Sequence, residues 1–275
     1  MRIVPLLAAL LLVSSAATAQ TVLFSESFSV RPGDALDVDL GSEAVVVETG
    51  GSRASVTVEG RGRDARDEFE RRRFSARYEG GRLVVRTDPP RTSWSWGRRE
   101  ASFTVTIRVP ERFDVNVDVG SGSVTVGALD GDLAVDTGSG SVSLADVRGR
   151  RVSVDTGSGS IRAGRLTGDV SLDTGSGSVS VESVRGSLDV DTGSGSVRAA
   201  RVDGPTTIGT GSGSVHVGLA GGAELVASGG RVSIDEALRF DGRRDRDSAR
   251  GRIGQGGPEV RVGTGSGSIT LAAAR

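Results

Sequence analysis

The chain has 275 residues, 42 of them Gly, with no Cys and a single His. Its 34 basic residues, all Arg, nearly balance 35 acidic ones, leaving a net charge of −1. That balance gives no electrostatic case for nucleic acid or an anionic membrane as partner, and the lack of Cys excludes disulfides.

Residues 1–19 read as a secretory signal peptide. Arg2 supplies the positive start, residues 4–13 the apolar stretch, and Ala17-Thr18-Ala19 the small-residue cleavage site. The apolar run is too short for a membrane span, so no transmembrane segment is expected. No Cys follows to carry a lipid anchor. The protein is therefore expected to be exported, to the periplasm, the cell surface or the medium.

Residues 20–275 read as one domain. From Phe28 a period-two apolar pattern begins, which marks strands with one buried face. Residues 28–58 read as a degenerate first rung, because Asp39-Leu-Gly-Ser-Glu-Ala-Val-Val-Val47 aligns without a gap on Asp173-Thr-Gly-Ser-Gly-Ser-Val-Ser-Val181. Residues 59–100 depart from the pattern as a charged insertion or cap, with strands expected around 74–78 and 83–87 and a break at Pro89-Pro90.

Regular rungs are expected over 101–226. Gly-Ser-Gly-Ser starts at Gly120, Gly138, Gly157, Gly175, Gly193 and Gly211 at intervals of 18, 19, 18, 18 and 18 residues, and again at Gly265 after 54. A fixed period of this length means one supersecondary unit repeated. Within it Val179 and Val181, then Leu188 and Val190, alternate with polar residues. The parity slips at Gly193-Ser194-Gly195, where a turn with positive φ is expected, and a second turn is expected near Gly186. Two short strands and two turns per 18 residues predict an all-β fold, a single-stranded parallel β-helix or β-solenoid, right-handed by crossover preference. One rung cannot fold alone. Burying an aliphatic side chain gives roughly 1.5–3 kcal/mol, and about five per rung fall short of ordering 18 residues at about 1–2 kcal/mol each. Stacking supplies the difference. Residues 227–262 read as two degenerate rungs with a charged, solvated loop at 239–252, and residues 263–275 as the last rung.

The repeated Thr-Gly-Ser-Gly-Ser-Val unit, the Val109-Pro110 strand entry and the closing Gly251-Arg-Ile-Gly-Gln-Gly-Gly-Pro258 with Gly263-Thr-Gly-Ser-Gly-Ser-Ile269 resemble the bacterial "putative adhesin" domain family of unknown function. The resemblance runs from Phe28 to Leu271. It implies an exported or membrane-tethered β-solenoid and supplies no catalytic residue to carry over.

Asp-Thr-Gly-Ser at Asp136, Asp155, Asp173 and Asp191 is spelled like an aspartic-protease motif, but those sites need two carboxylates from different lobes sharing one proton. The column Asp118, Asp136, Asp155, Asp173, Asp191 raises the question of metal. A calcium β-roll instead carries its Asp in a nine-residue repeat, so side chains folded back onto turn amides are expected. Gly-Ser-Gly-Ser lacks the Lys and the helix of a phosphate loop, and His216 lacks a positioned nucleophile.

The expectation is a non-enzymatic adhesin-like binding or scaffold module without metal or cofactor, acting on an envelope protein or glycan. The alternatives are a polysaccharide-active β-helix enzyme and a calcium-dependent β-roll. Aromatic and Arg side chains favoured at binding hot spots concentrate in one stretch, so Trp94 and Trp96, with Arg91, Arg98 and Arg99, are the candidate partner-binding residues.

Overall fold

The structure is a computed structural model that describes residues 20–87 and 101–274. The signal peptide expected at 1–19 lies outside them. Among the described residues strand dominates, with one short α-helix at Ala65–Arg71 and one 3₁₀ turn at Glu236–Leu238. The fold is an all-β solenoid.

Its regular part follows from the alternating pattern. Leu188–Thr192 pairs in parallel with Val170–Thr174 on one side and with Thr206–Thr210 on the other. Across the corner, Val197–Asp203 lies between Val179–Arg185 and Val215–Leu219 in the same parallel sense. Identical slots stack: Val152 on Val170 on Leu188, and Val142 on Ile161 on Val179. Each aliphatic row is buried, with Val154, Ile161 and Leu172 at 0 % exposure. Leu129, Val147, Leu166, Val184 and Val202 form a third inward row.

The Gly-Ser-Gly-Ser corner is built differently from the sequence expectation. None of its glycines has a positive φ; that conformation occurs instead at the second turn, at Gly168 (φ 122°) and Gly186 (φ 124°). The corner needs glycine because neighbouring coils touch there. A Cβ on Gly177 would lie 1.8 Å from the Gly159 carbonyl oxygen, and one on Gly195 would lie 1.8 Å from that of Gly177. No side chain fits in such a gap.

The Thr before each corner is turned into the core, where a hydroxyl needs partners. Thr174 is 4 % exposed. Its Oγ1 accepts from the Gly177 amide at 3.0 Å and donates to the Gly159 carbonyl of the previous coil at 2.9 Å. Thr156 and Thr137 make the same two bonds one and two coils earlier. One hydroxyl thus satisfies its own turn and clamps it to the neighbour. No buried side-chain polar atom among the described residues lacks a partner.

Both ends depart from chain order. Glu259–Thr264 and Ser268–Ala273, which span the end of the expected degenerate rungs and the expected last rung at 263–275, are threaded inside the stack. They pair with Thr206–Thr210 and Val215–Leu219 on one side and with Ala223–Ser228 and Arg231–Ile234 on the other. The loop expected at 239–252 is an antiparallel hairpin, Phe240–Arg244 with Ser248–Ile253, laid on Ala223–Ser228. At the N-terminal end Ala35–Leu40 likewise lies between the later strands Arg82–Thr87 and Asp114–Val119. Antiparallel strands close that end too: Phe74–Glu79 on one sheet, and Ala54–Arg61 with Thr21–Phe28 on the other. A parallel stack has open edges that invite further pairing, and the antiparallel additions cover them. The strand at Thr21–Phe28 starts before the Phe28 read from sequence.

The corner makes a direct prediction. Gly177→Ala must push apart two backbones, an overpacking cost of about 1–3 kcal/mol or more, and lowers the melting temperature sharply. Gly263→Ala, with nothing within 4 Å of the added Cβ, leaves it nearly unchanged. Thermal unfolding of the two variants beside the native chain checks this.

Candidate interaction surface

The N-terminal end carries the largest departure from repetition. Glu43 stands in the column that later coils give to the second glycine: a Cβ on Gly122 would lie 1.7 Å from the Glu43 carbonyl. Its carboxylate, 3 % exposed, accepts from Arg72 at 2.6 Å and from the Ser42 amide at 2.8 Å. Removing one partner of a buried pair of this kind costs about 3–5 kcal/mol. The Arg72 guanidinium also lies 4.9 Å from the Phe103 ring centroid, a cation–π contact. Phe69 packs between Phe74 and Phe103 at 5.7 and 6.4 Å, and Phe24 meets Phe74 edge-on at 5.0 Å. The short helix was not legible in sequence; it exists to bring Phe69 and Arg72 over the end of the core.

The five residues singled out from sequence, Arg91, Trp94, Trp96, Arg98 and Arg99, lie outside the described residues. Their flanks are described. Arg86 pairs with Asp39, and Thr104 pairs with Ala44, the residues on either side of the Gly41-Ser42-Glu43 turn.

Along the coils, each outward slot forms a column. On the sheet preceding the corner, Asp39, Asp118, Asp136, Asp155, Asp173 and Asp191 stack one on another. These side chains do not fold back onto the turn amides as expected. The first corner amide donates to the preceding coil's backbone instead, as from Gly175 to the Thr156 carbonyl at 3.1 Å, and the third goes to the Thr hydroxyl. Asp side chains do cap amides at the second turn: Asp114 accepts from the Asp132 amide at 2.9 Å, and Asp132 from the Arg150 amide at 2.7 Å. Beside them a shallow cleft of 530 Å³ is lined by Asp37, Arg82, Asn116, Ala134, Arg150 and Arg151, among others.

On the sheet after the corner, Ser143, Arg162, Ser180, Arg198, His216 and Thr270 form one column, and Asp130, Arg148, Thr167, Arg185 and Asp203 another. A 400 Å³ trough runs beside Arg162, Ser180, Glu182 and Arg198. His216 is half-buried; burial first, then the Arg198 charge, hold its imidazole below its ordinary pKa. Among the described residues no three His, Asp or Glu side chains converge as metal ligands do.

With this geometry in view, the family model described as Toastrack DUF4097 matches residues 34–272. The chain belongs to the Toastrack family. Among solved structures, a "putative adhesin" from Bacteroides fragilis shares the fold at TM-score 0.53 and 12 % identity, over 92 % of this Toastrack chain and 98 % of its own. A "putative lipid binding protein" from Parabacteroides distasonis aligns at TM-score 0.49 and 16 % identity, over 90 % and 96 % of the two chains. A "putative cell adhesion protein" from Clostridium sporogenes aligns at TM-score 0.26 and 13 % identity, over 91 % and 99 %. No curated protein matches the chain. No helix among the described residues is long and apolar enough to cross a membrane.

The aspartate column predicts a pH effect. Partial burial, then the neighbouring Asp155, Asp189 and Asp191, hold the Asp173 carboxyl above its ordinary 3.8, against a bond from the Ser171 hydroxyl. Burial followed by Asp136 and Asp39 does the same to Asp118. A carboxyl with a raised folded-state pKa binds its proton more readily when folded. Its contribution to stability is therefore greatest at low pH and is lost as pH rises through the folded pKa. Asp173→Asn accordingly raises the melting temperature at about pH 7 and gains less near pH 4. A lower melting temperature at neutral pH would contradict the reading.

Proposed function

We propose that this Toastrack protein is an exported, non-enzymatic module that binds a partner or scaffolds an assembly at the cell envelope. The observation that carries the reading is the division of the chain into a rigid repeated stack and a non-repeated end. In the stack outward residues fall in register from coil to coil, with an aspartate recurring on each coil of one column, so charge is laid out in columns. An acid and a base for chemistry on a polysaccharide instead need to converge at one irregular place. At the N-terminal end the repeat gives way to a helix, a hairpin and the connection between Thr87 and Ala101. Rigid scaffolds commonly carry recognition on such connections. The signal-like sequence at 1–19 supports export, and the "putative adhesin" of related fold agrees with an envelope setting. The 18-residue coil is the building unit in this reading, and right-handed winding follows the general crossover preference.

Recognition is assigned to Trp94 and Trp96, with Arg91, Arg98 and Arg99 around them. They include both Trp of the chain, and Trp and Arg are the residue types that most often anchor interfaces. Replacing both tryptophans with Ala abolishes capture of an envelope protein or glycan from extract by the exported chain, while the melting temperature moves little. A fall of several kcal/mol in stability with aggregation would instead assign the indoles to sealing the stack. New reducing ends after incubation with uronic-acid or neutral glycans would overturn the non-enzymatic reading. A melting temperature raised by calcium and lowered by chelator would favour the β-roll.

A further inference from the structure

The near-zero net charge of the chain conceals two sides of opposite sign. The chain reverses at each Gly-Ser-Gly-Ser corner, and the inward rows of both strands share one core. Their outward columns therefore lie on different faces of the stack. One side carries the six-aspartate column together with Asp37, Asp114, Asp132, Asp169 and Asp189, against Arg82, Arg86, Arg150, Arg151 and Arg261. The other carries Arg148, Arg162, Arg165, Arg185, Arg198 and Arg201, against Asp130, Asp146, Glu182 and Asp203.

The two sides treat their own charge differently. Arg162 and Arg198 are separated by Ser180 in their column, and Arg148 and Arg185 by Thr167. Like charges thus stand two coils apart, roughly 9.6 Å at the strand spacing of about 4.8 Å. The aspartates recur on every coil at about 4.8 Å, with no spacer. None of the six forms an ion pair with another described residue, and neither do Arg148, Arg162, Arg185, Arg198 or Arg201. Four successive coils, those bearing Arg148, Arg162, Arg185 and Arg198, each present a guanidinium in one of the two columns, alternately, and the last adds Arg201. Each coil from Asp118 to Asp191 presents at least one free carboxylate.

We infer that the aspartate side is a docking face for the arginine side of a second copy of this chain. What selects this occupant is pitch. Both sides repeat with the same coil spacing because they belong to the same stack, so two copies lying side by side keep charge matched to charge over several coils. An unrelated cation or polyanion has no such reason to fit. Because the two faces differ, the contact is head-to-tail in the lateral sense and can extend beyond a dimer. The inference rests on the scaffold reading above but not on the tryptophan segment, so the two fail separately.

Sedimentation velocity of the full exported chain tests it. At ~0.01 M salt, where the screening length is about 30 Å, the weight-average mass exceeds that of one chain and rises with concentration; at ~1 M, where it is about 3 Å, the chain sediments as a monomer. The variant Arg162→Asp/Arg198→Asp and the variant Asp155→Arg/Asp173→Arg are each monomeric alone at low salt, and circular dichroism shows both folded. Mixing them restores association, which a mere folding defect would not allow. Trp94→Ala/Trp96→Ala associates like the native chain. A native chain that stays monomeric at low salt overturns the inference. So does association that requires added calcium and vanishes with chelator, or binding of heparin without self-association.

Discussion

Backbone contact at the Gly-Ser-Gly-Ser corner is the constraint on which the rest of this structure depends. Coils can stack only as closely as their tightest point allows, and that point is the second glycine, where a side chain would run into the carbonyl of the coil before. Once the corner closes to that distance, the Thr hydroxyl can bond its own turn and the neighbour's carbonyl together. The strands on either side then fall into ladder register, and identical aliphatic rows meet. Hydrophobic burial supplies most of the driving force, but the corner fixes where each row lies.

The same constraint explains the ends. At the first corner Glu43 stands in the glycine column and carries a side chain, held by Arg72. A stack of this kind does not terminate itself, since each face of a coil is made to receive another. The chain closes it at both ends by threading a coil out of order and laying antiparallel strands outside it. Arg243, Arg244 and Arg246 line the hairpin at the C-terminal end, all exposed, and charge on an outer strand discourages further pairing.

Much of the coil was legible because its signals are local. Period-two alternation gave the inward rows, and the parity slip at Gly193-Ser194-Gly195 located the corner. The reason for the glycines was misread, since a tight turn and a close approach to another coil leave the same residue in the sequence. The aspartate column was recognised, but its side chains were assigned to amides that Thr and the preceding backbone already satisfy. The threading of residues 259–273 was hidden by arithmetic: the 54-residue interval fits two intervening coils, yet Gly267 sits directly on Gly213. The Phe69–Arg72 cap has no period at all and rests on contacts far apart in sequence. Charge segregation escaped notice because a net charge sums over both sides. Only the parity of each Asp and Arg within its strand assigns it to one of them.

The coil is a register-locked unit set by the corner. The most direct measurement compares two internal deletions by circular dichroism and thermal unfolding. Removing residues 173–190 joins one corner column to the next, and the account predicts a soluble, cooperatively unfolding protein that is one coil shorter. Removing nine residues from the same place sets inward rows against outward ones, and the account predicts loss of cooperative unfolding and aggregation. Equal solubility and equal β-signal in the two deletions would contradict it.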